Sequence, residues 1–196
     1  MKILIDAGHG IDTPGKRSPD GSFLEYLWNR QVADLVLTRL RASGIDADLV
    51  VTETNDIPLR TRAMRVNRVC DRLGAGNVIL VSIHSNAAGN GSIWMYATGW
   101  ECHTSPGKTR SDALAECFYD AFGKAFPEKR MRRDWSDGDS DWESNFYILT
   151  KTRCPAVLLE NFFYDNRTEC QWLLLEETKT RIADAIVAGL RKYLKR

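Results

Sequence analysis

Residues 2–10 read KILIDAGHG, and residues 78–86 read VILVSIHSN. Each stretch contains a run of apolar residues that leads to a histidine, His9 in the first and His84 in the second. Short apolar runs of this kind are typical of strands that are buried on both faces of a parallel sheet. A third apolar run ends directly before Glu160 and predicts another buried strand.

Amphipathic helices are predicted between these strands. Apolar residues spaced three or four apart run from Trp28 to Leu40 and from Leu59 to Leu73, and glycines follow both runs. Strands that alternate with helices over short connections favour a largely parallel sheet covered by helices. We therefore expect a single α/β domain over residues 1–196, with a sheet of about six strands flanked by helices.

The second half of the chain carries further local predictions. Apolar runs predict strands over 93–96 and 146–149, and Ser111 is the predicted N-cap of a helix. Residues 128–145 are polar and predict a long exposed loop. A helical pattern over 178–194 ends the chain.

Composition excludes several classes of protein. The 196 residues carry 27 Lys and Arg against 26 Asp and Glu, and this balance gives no indication of nucleic-acid or anionic-membrane binding. Five widely spaced cysteines favour a reducing compartment over a disulfide framework.

The amino terminus lacks the apolar run of roughly 7–15 residues of a signal peptide, and no membrane insertion is predicted. We expect a protein that stays in the cytoplasm until it is released, or a secreted one whose leader is absent from this chain.

Titratable side chains follow the predicted buried strands. His9, His84 and Glu160 each stand near the carboxyl end of a strand, which is where open α/β sheets bind their ligands. Glu25 begins the sheet-facing stripe of the first helix, so its carboxylate is aimed at the same region. A carboxylate on an apolar face needs a cation or a hydrogen-bond donor as its partner.

Two imidazoles and one carboxylate, with water in the fourth position, form a ligand set of catalytic zinc. His9, Glu25 and His84 meet this description, and Glu160 is a further carboxylate that could move a proton. Each residue also has a simpler interpretation. His9 could belong to a turn that holds a phosphate, and Glu25 could interact only with the helix dipole. The conjunction of all four residues favours the zinc site.

The ordered motifs resemble those of the zinc-dependent N-acetylmuramoyl-L-alanine amidases, which cut peptidoglycan. The segment DAGHG at 6–10 is similar to the first metal motif of that family, Glu25 with Asn29 to the second, and SIHSNA at 82–87 to the third. The segment AVLLENFFYDN at 156–166 resembles the catalytic-glutamate segment, in a form nearest to phage endolysin-type catalytic domains.

The resemblance implies a mixed, mostly parallel sheet and a zinc ion bound by His9, Glu25 and His84. It also implies that Glu160 assists hydrolysis of the amide between the lactyl group of N-acetylmuramic acid and L-alanine in peptidoglycan. The oligomeric state stays open. A zinc peptidase or deacylase acting on another amide would use the same four residues. A non-catalytic binding module with this fold would need neither the metal nor Glu160.

Three more side chains are candidates for substrate contacts. Asn86 could donate to an oxyanion or orient a ligand, although a role in a turn is equally consistent with its position. Trp135 and Trp142 could stack on sugar rings or anchor the loop in which they lie.

Two other features receive no functional assignment from the sequence. The acidic residues 137–143 are interpreted as a solvated loop, because Trp142 and Ile148 stand where a helix-loop-helix calcium site needs Gly and Glu. His103 follows a cysteine that lacks a second cysteine at ligand spacing, so it is interpreted as incidental.

Overall fold

The structure is a computed structural model that describes residues 1–195. Helices and strands alternate along most of this length. In chain order the elements are β1 (Lys2–Ala7), α1 (Glu25–Ala42), β2 (Ala47–Leu49), α2 (Leu59–Leu73), β3 (Val78–Asn86), β4 (Glu101–Thr104), α3 (Arg110–Ala125), β5 (Trp142–Glu143), α4 (Tyr147–Thr150), β6 (Ala156–Phe163), α5 (Arg167–Leu173) and α6 (Glu176–Leu194).

The strands form one mixed sheet. Within the described residues it has six strands in the order β2-β1-β3-β6-β4-β5. The four strands β2, β1, β3 and β6 run parallel to one another, whereas β4 is antiparallel to β6 and parallel to β5. These pairings confirm the predicted α/β fold with a mostly parallel sheet flanked by helices.

The central strands are buried on both faces because apolar residues occupy both alternating sets of positions. Ile3 and Ile5 of β1 pack in a core shared with α1, α3 and α6. Leu4, which points the other way, packs in a second core with residues of α2 and α4. Helices therefore cover both faces of the sheet and leave its carboxyl edge for the polar residues. Among the described residues, no helix is long and apolar enough to cross a bilayer.

The predicted strand over 93–96 is wrong. This segment lies outside the sheet, and the strand in this part of the chain is β4, which begins at Glu101. Tyr96 is 95% exposed, so its place in the apolar run did not reflect burial. Gly99, with a φ of 110°, redirects the backbone just before β4.

The predicted strand over 146–149 is also wrong, because Tyr147–Thr150 forms the short helix α4. The backbone amides of Leu149 and Thr150 donate to the carbonyl of Phe146, which closes a helical turn. Ile148 and Leu149 are buried in the core that includes residues of α2. A short apolar run does not distinguish a strand from a buried helical turn.

The helix α3 begins slightly earlier than predicted. Its N-cap is Thr109, whose hydroxyl accepts a hydrogen bond from the Ser111 amide at 3.0 Å. The Asp112 carboxylate accepts from the Thr109 amide at 2.7 Å, which completes a capping box. The predicted N-cap Ser111 lies inside the helix instead, and its hydroxyl accepts from the amide of Ala156 at 3.1 Å.

The acidic loop is only partly solvated, which corrects its interpretation as a solvated segment. Asp141 is 1% exposed and accepts a hydrogen bond from the Thr104 hydroxyl at 2.5 Å. Ser140 is fully buried and donates to Glu116 at 2.5 Å. The strand β5 follows directly and pairs with β4, so the end of the loop is anchored to the sheet.

Candidate active site and metal centre

The sheet topology brings the predicted site residues together. His84 on β3 is the register partner of Glu160 on β6, so these two side chains leave the same face of the sheet. His9 follows β1, the neighbour of β3 on the other side. Glu25 is the first residue of α1 and reaches this edge from the helix.

Two imidazoles converge on one carboxylate. The Nε2 atom of His9 lies 3.4 Å from Oε1 of Glu25, and the Nδ1 atom of His84 lies 3.3 Å from the same oxygen. The two imidazole rings are nearly perpendicular, with centroids 4.9 Å apart. Potential ligand atoms of His9, Glu25 and His84 lie within 4.8 Å of one another, and among the described residues this is the one such group of three or more.

The electrostatics of Glu25 suit a cation. Its side chain is 1% exposed, and its Oε2 atom has no hydrogen-bond partner among residues 1–195. Burial alone would raise the pKa of Glu25, but hydrogen bonds and charges from His84 and His9 hold it well below its usual range. A buried, ionised carboxylate with an unpartnered oxygen is costly unless a positive charge stands beside it.

The two histidines supply the nitrogen donors for such a cation. Burial lowers the pKa of His84, against the opposing influence of Glu25, and this favours the neutral imidazole that a metal ligand must be. Nitrogen from His9 and His84 together with oxygen from Glu25 is a donor set that zinc accepts in catalytic sites. The residues present therefore fit a zinc ion.

The backbone of His9 is held in an unusual conformation. Its φ is 62°, in the left-handed region that residues other than glycine seldom occupy. Its carbonyl accepts hydrogen bonds from Arg30 Nη1 at 2.9 Å and from Arg62 Nη2 at 3.2 Å. Strained backbone of this kind persists where the surroundings over-determine it, and two guanidinium groups do so here.

Arg62 on α2 connects β1 with the segment that precedes α2. Its guanidinium is buried and donates to the Asp6 carboxylate at 2.8 Å, to the Ala7 carbonyl at 2.7 Å and to the Asp56 carboxylate at 2.9 Å. Ser82 on β3 donates to the second oxygen of Asp6 at 2.8 Å. This network fixes the end of β1, and with it the position from which His9 projects.

Glu160 is a partly buried residue beside this centre. Its Oε2 atom is buried and has no hydrogen-bond partner among the described residues. Burial, and after it the negative charges of Glu25 and Glu101, raise the pKa of Glu160 well above its usual value, and Lys16 opposes this increase. A carboxyl group whose pKa is raised in this way holds a proton more readily than an ordinary glutamate, which suits general acid and base catalysis.

Glu101 is a further residue of the site that none of the sequence motifs indicates. This residue lies directly opposite Glu160 in the antiparallel pairing of β4 and β6, so both side chains stand on the same face. Its carboxylate accepts hydrogen bonds from Arg132 at 2.5 Å and Asn86 at 2.7 Å. His103 lies 3.3 Å from the same carboxylate, which corrects its interpretation as incidental. The alternation of Glu101 and His103 along one strand is the signal that could have indicated a shared face.

The three predicted substrate contacts have different surroundings. Asn86 lines a cavity at the site, but its amide group already donates to Glu101 and accepts from the Ala87 amide at 2.8 Å. Trp135 is 62% exposed, and Trp142 lies in β5 near His103. Neither tryptophan lines the two cavities described below, and contact of these three residues with substrate stays a prediction.

Two cavities meet at the site. One has a volume of about 400 Å³ and includes Asn86 and Asn90 in its wall. The other has a volume of about 500 Å³ and includes Leu59, Phe146 and Tyr147. Both are lined by three residues of the centre: Lys16, His84 and Glu160. A substrate whose reacting bond lies at Glu160 can therefore extend in two directions.

Comparisons with known proteins agree on one family. A family model described as N-acetylmuramoyl-L-alanine amidase matches residues 3–192. The catalytic domain of CwlV, an N-acetylmuramoyl-L-alanine amidase from Bacillus (Paenibacillus) polymyxa var. colistinus, is 26% identical, with a TM-score of 0.80 over 99% of this chain and 98% of that one. The N-acetylmuramoyl-L-alanine amidase from Clostridium difficile 630 is 29% identical, with a TM-score of 0.81 over 99% and 96%.

A curated relative is considerably longer than this chain. N-acetylmuramoyl-L-alanine amidase LytC from Bacillus subtilis strain 168 is 28% identical over 196 residues. The match covers 97% of this chain but 35% of LytC. The similarity therefore concerns about a third of that relative.

Proposed function

Because this chain belongs to the N-acetylmuramoyl-L-alanine amidase family and is an amide hydrolase, we propose that it hydrolyses peptidoglycan with a bound zinc ion. The bond cleaved is the amide between the lactyl group of N-acetylmuramic acid and L-alanine. The observation that carries the proposal is the convergence of His9, Glu25 and His84 next to Glu160.

His9, Glu25 and His84 are the proposed zinc ligands. Bound zinc would supply a Lewis acid that polarises the amide carbonyl and lowers the pKa of a water molecule. The constrained backbone of His9 and the buried side chain of Glu25 support this assignment, because both limit the movement of the donor atoms. Such preorganisation avoids the cost of rearranging the site during the reaction.

Glu160 is the proposed general base and acid. Its carboxylate takes the proton of the attacking water, and its carboxyl group then donates that proton to the α-amine of L-alanine as the amide bond breaks. The raised pKa supports the second half of this sequence, because the carboxyl group can hold the proton until the amine leaves.

Two wider predictions remain part of this proposal. Residues 1–196 are expected to form one catalytic domain, and the protein is expected to meet peptidoglycan either after release from the cytoplasm or after secretion. A zinc peptidase or deacylase on a different amide would use the same residues. Only a test with defined substrates separates that alternative from the proposed reaction.

Digestion of purified peptidoglycan tests the proposal. We expect new amino-terminal alanine and intact stem peptides, with no increase in reducing sugar ends, and we expect a chelator to stop the reaction. New reducing ends would indicate glycoside cleavage. New amino termini on residues other than alanine would indicate an endopeptidase. The Glu160→Gln variant in the same assay controls for contaminating hydrolases.

A further inference from the structure

Lys16 stands where the two cavities of the site meet. It lines both of them together with His84 and Glu160. Its side chain is half-buried, and within residues 1–195 its ammonium group makes neither a hydrogen bond nor an ion pair with another residue. A lysine ammonium usually keeps its hydration or gains an anion when it is drawn into a cleft. Lys16 is therefore a cation available to a ligand.

The other cation of this cleft is already neutralised. Arg62 lines the larger cavity, but its guanidinium is paired with the carboxylates of Asp6 and Asp56. Two cationic residues of the described part of the chain, Lys16 and Arg62, line the cavities. Of these two, Lys16 is the one without an ion-pair partner. An anionic group of a substrate that enters this cleft would meet Lys16.

The walls of the two cavities suggest how the substrate lies. The larger cavity contains Leu59 and the partly exposed rings of Phe146 and Tyr147, which suit the apolar face of a sugar ring. The smaller cavity is lined by Asn90 and by the glycines Gly15 and Gly89, whose polar side chain and backbone suit the hydrogen-bonding groups of an extended peptide. With the reacting amide at Glu160, the sugar would occupy the first cavity and the stem peptide the second.

We infer, on the basis of the proposed function, that Lys16 binds the free α-carboxylate of the second stem residue and makes the enzyme selective for stems in which this carboxyl group is not amidated. Two extended residues span about 7 Å at most. The α-carboxylate of a D-glutamate that follows L-alanine therefore stays near the junction of the cavities, where Lys16 lies. The ammonium group and this carboxylate form a charge-assisted hydrogen bond.

The test uses uncross-linked glycan strands with tripeptide stems of two kinds. The second residue is D-glutamate with a free α-carboxyl group in one substrate and D-isoglutamine, its amide, in the other. We expect the wild-type enzyme to have a roughly tenfold higher kcat/KM for the free acid, the size expected for one charge-assisted hydrogen bond. In Lys16→Met, kcat/KM for the free acid should fall to the value for the amide, and kcat/KM for the amide should stay unchanged. Lys16→Arg should keep part of the preference for the free acid.

Arg17→Met is the matched control, because Arg17 is the neighbouring exposed cation and lines neither cavity. This variant should keep the wild-type preference. Equal loss on both substrates in Lys16→Met would overturn the inference and would indicate that Lys16 acts on Glu160 or on the reacting carbonyl. Equal rates of the wild type on the two stems, or a preference that survives in Lys16→Met, would overturn it as well. Failure of the wild type to cleave either strand would contradict the proposed function instead.

Discussion

The Cα atom of Gly8 lies against the imidazole ring of His84. A Cβ atom at position 8 would stand 2.2 Å from Cε1 of His84 and 2.5 Å from each ring nitrogen. Real side chains do not approach this closely, so any larger residue at position 8 must displace the ring. The glycine thus allows the histidine to occupy the position from which it faces Glu25.

The Gly8→Ala variant should therefore lose metal binding while it keeps its fold. We expect zinc affinity to fall by a factor of about 10 to 100 or more, as when the support of a metal ligand is removed. Zinc content after dialysis and competition with a chelator measure this effect, and circular dichroism checks the fold. Gly123→Ala is the control, because a Cβ atom at that position in α3 meets nothing within 4 Å. Wild-type zinc affinity in Gly8→Ala would contradict the role of His84 as a ligand.

The Glu160→Gln variant should separate catalysis from metal binding. The amide keeps the size of the side chain but cannot take or give the proton, so kcat should fall by a factor of roughly 10² to 10⁴. Zinc content and thermal stability should stay close to those of the wild type. The exposed Glu177 provides the control substitution Glu177→Gln, which should be fully active. Near-normal turnover of Glu160→Gln would assign the proton transfer to another group.

Removal of the buried guanidinium should destabilise the protein strongly. Arg62→Met leaves the carboxylate of Asp6 buried without its cationic partner, and we expect the free energy of unfolding to fall by about 3–5 kcal/mol. Arg41 forms an exposed ion pair with Asp48, so Arg41→Met should cost about 1 kcal/mol or less. Urea unfolding of both variants measures the two values. Similar values for the two variants would show that the buried network is not required for stability.

Asp141 should make stability depend on pH. Burial, and the carboxylate of Asp139, raise the pKa of Asp141 to about 7, against the hydrogen bond from Thr104. Between about pH 4 and this value the folded state keeps a proton that the unfolded state has lost. The free energy of unfolding contributed by Asp141 is therefore fully present below about pH 4 and is lost as the pH rises towards 7.

Asp141→Asn should remove this dependence, because the amide cannot ionise and its oxygen can still accept from Thr104. The variant should be more stable than the wild type at pH 8 and similar to it at pH 4. Melting temperatures across this range measure the difference, with the exposed Asp137→Asn as the control. Parallel curves for the wild type and Asp141→Asn would contradict the raised pKa.

Much of the fold could be predicted from the sequence because its strongest signals are local. The runs that form β1, β3 and β6 are apolar at both alternating sets of positions, and the structure buries these strands on both faces. Most of the stripe of α1 is buried, whereas in α2 the middle of the stripe is buried and its two ends, Leu59 and Leu73, are exposed. The errors at 93–96 and 146–149 occurred where a short apolar run had several possible structures and tertiary contacts selected one.

The sequence by itself determined which four residues to consider, since polar residues next to buried strands are rare and costly and therefore stand out. His9, His84 and Glu160 follow predicted strands and Glu25 begins the sheet-facing stripe of a predicted helix, and the folded chain brings the four together. What only the tertiary structure decided is their surroundings. Glu101 lies beside Glu160 although 59 residues separate the two positions, because β4 pairs with β6. Such neighbours depend on the strand order, and the long-range packing that sets this order leaves no local pattern in the sequence.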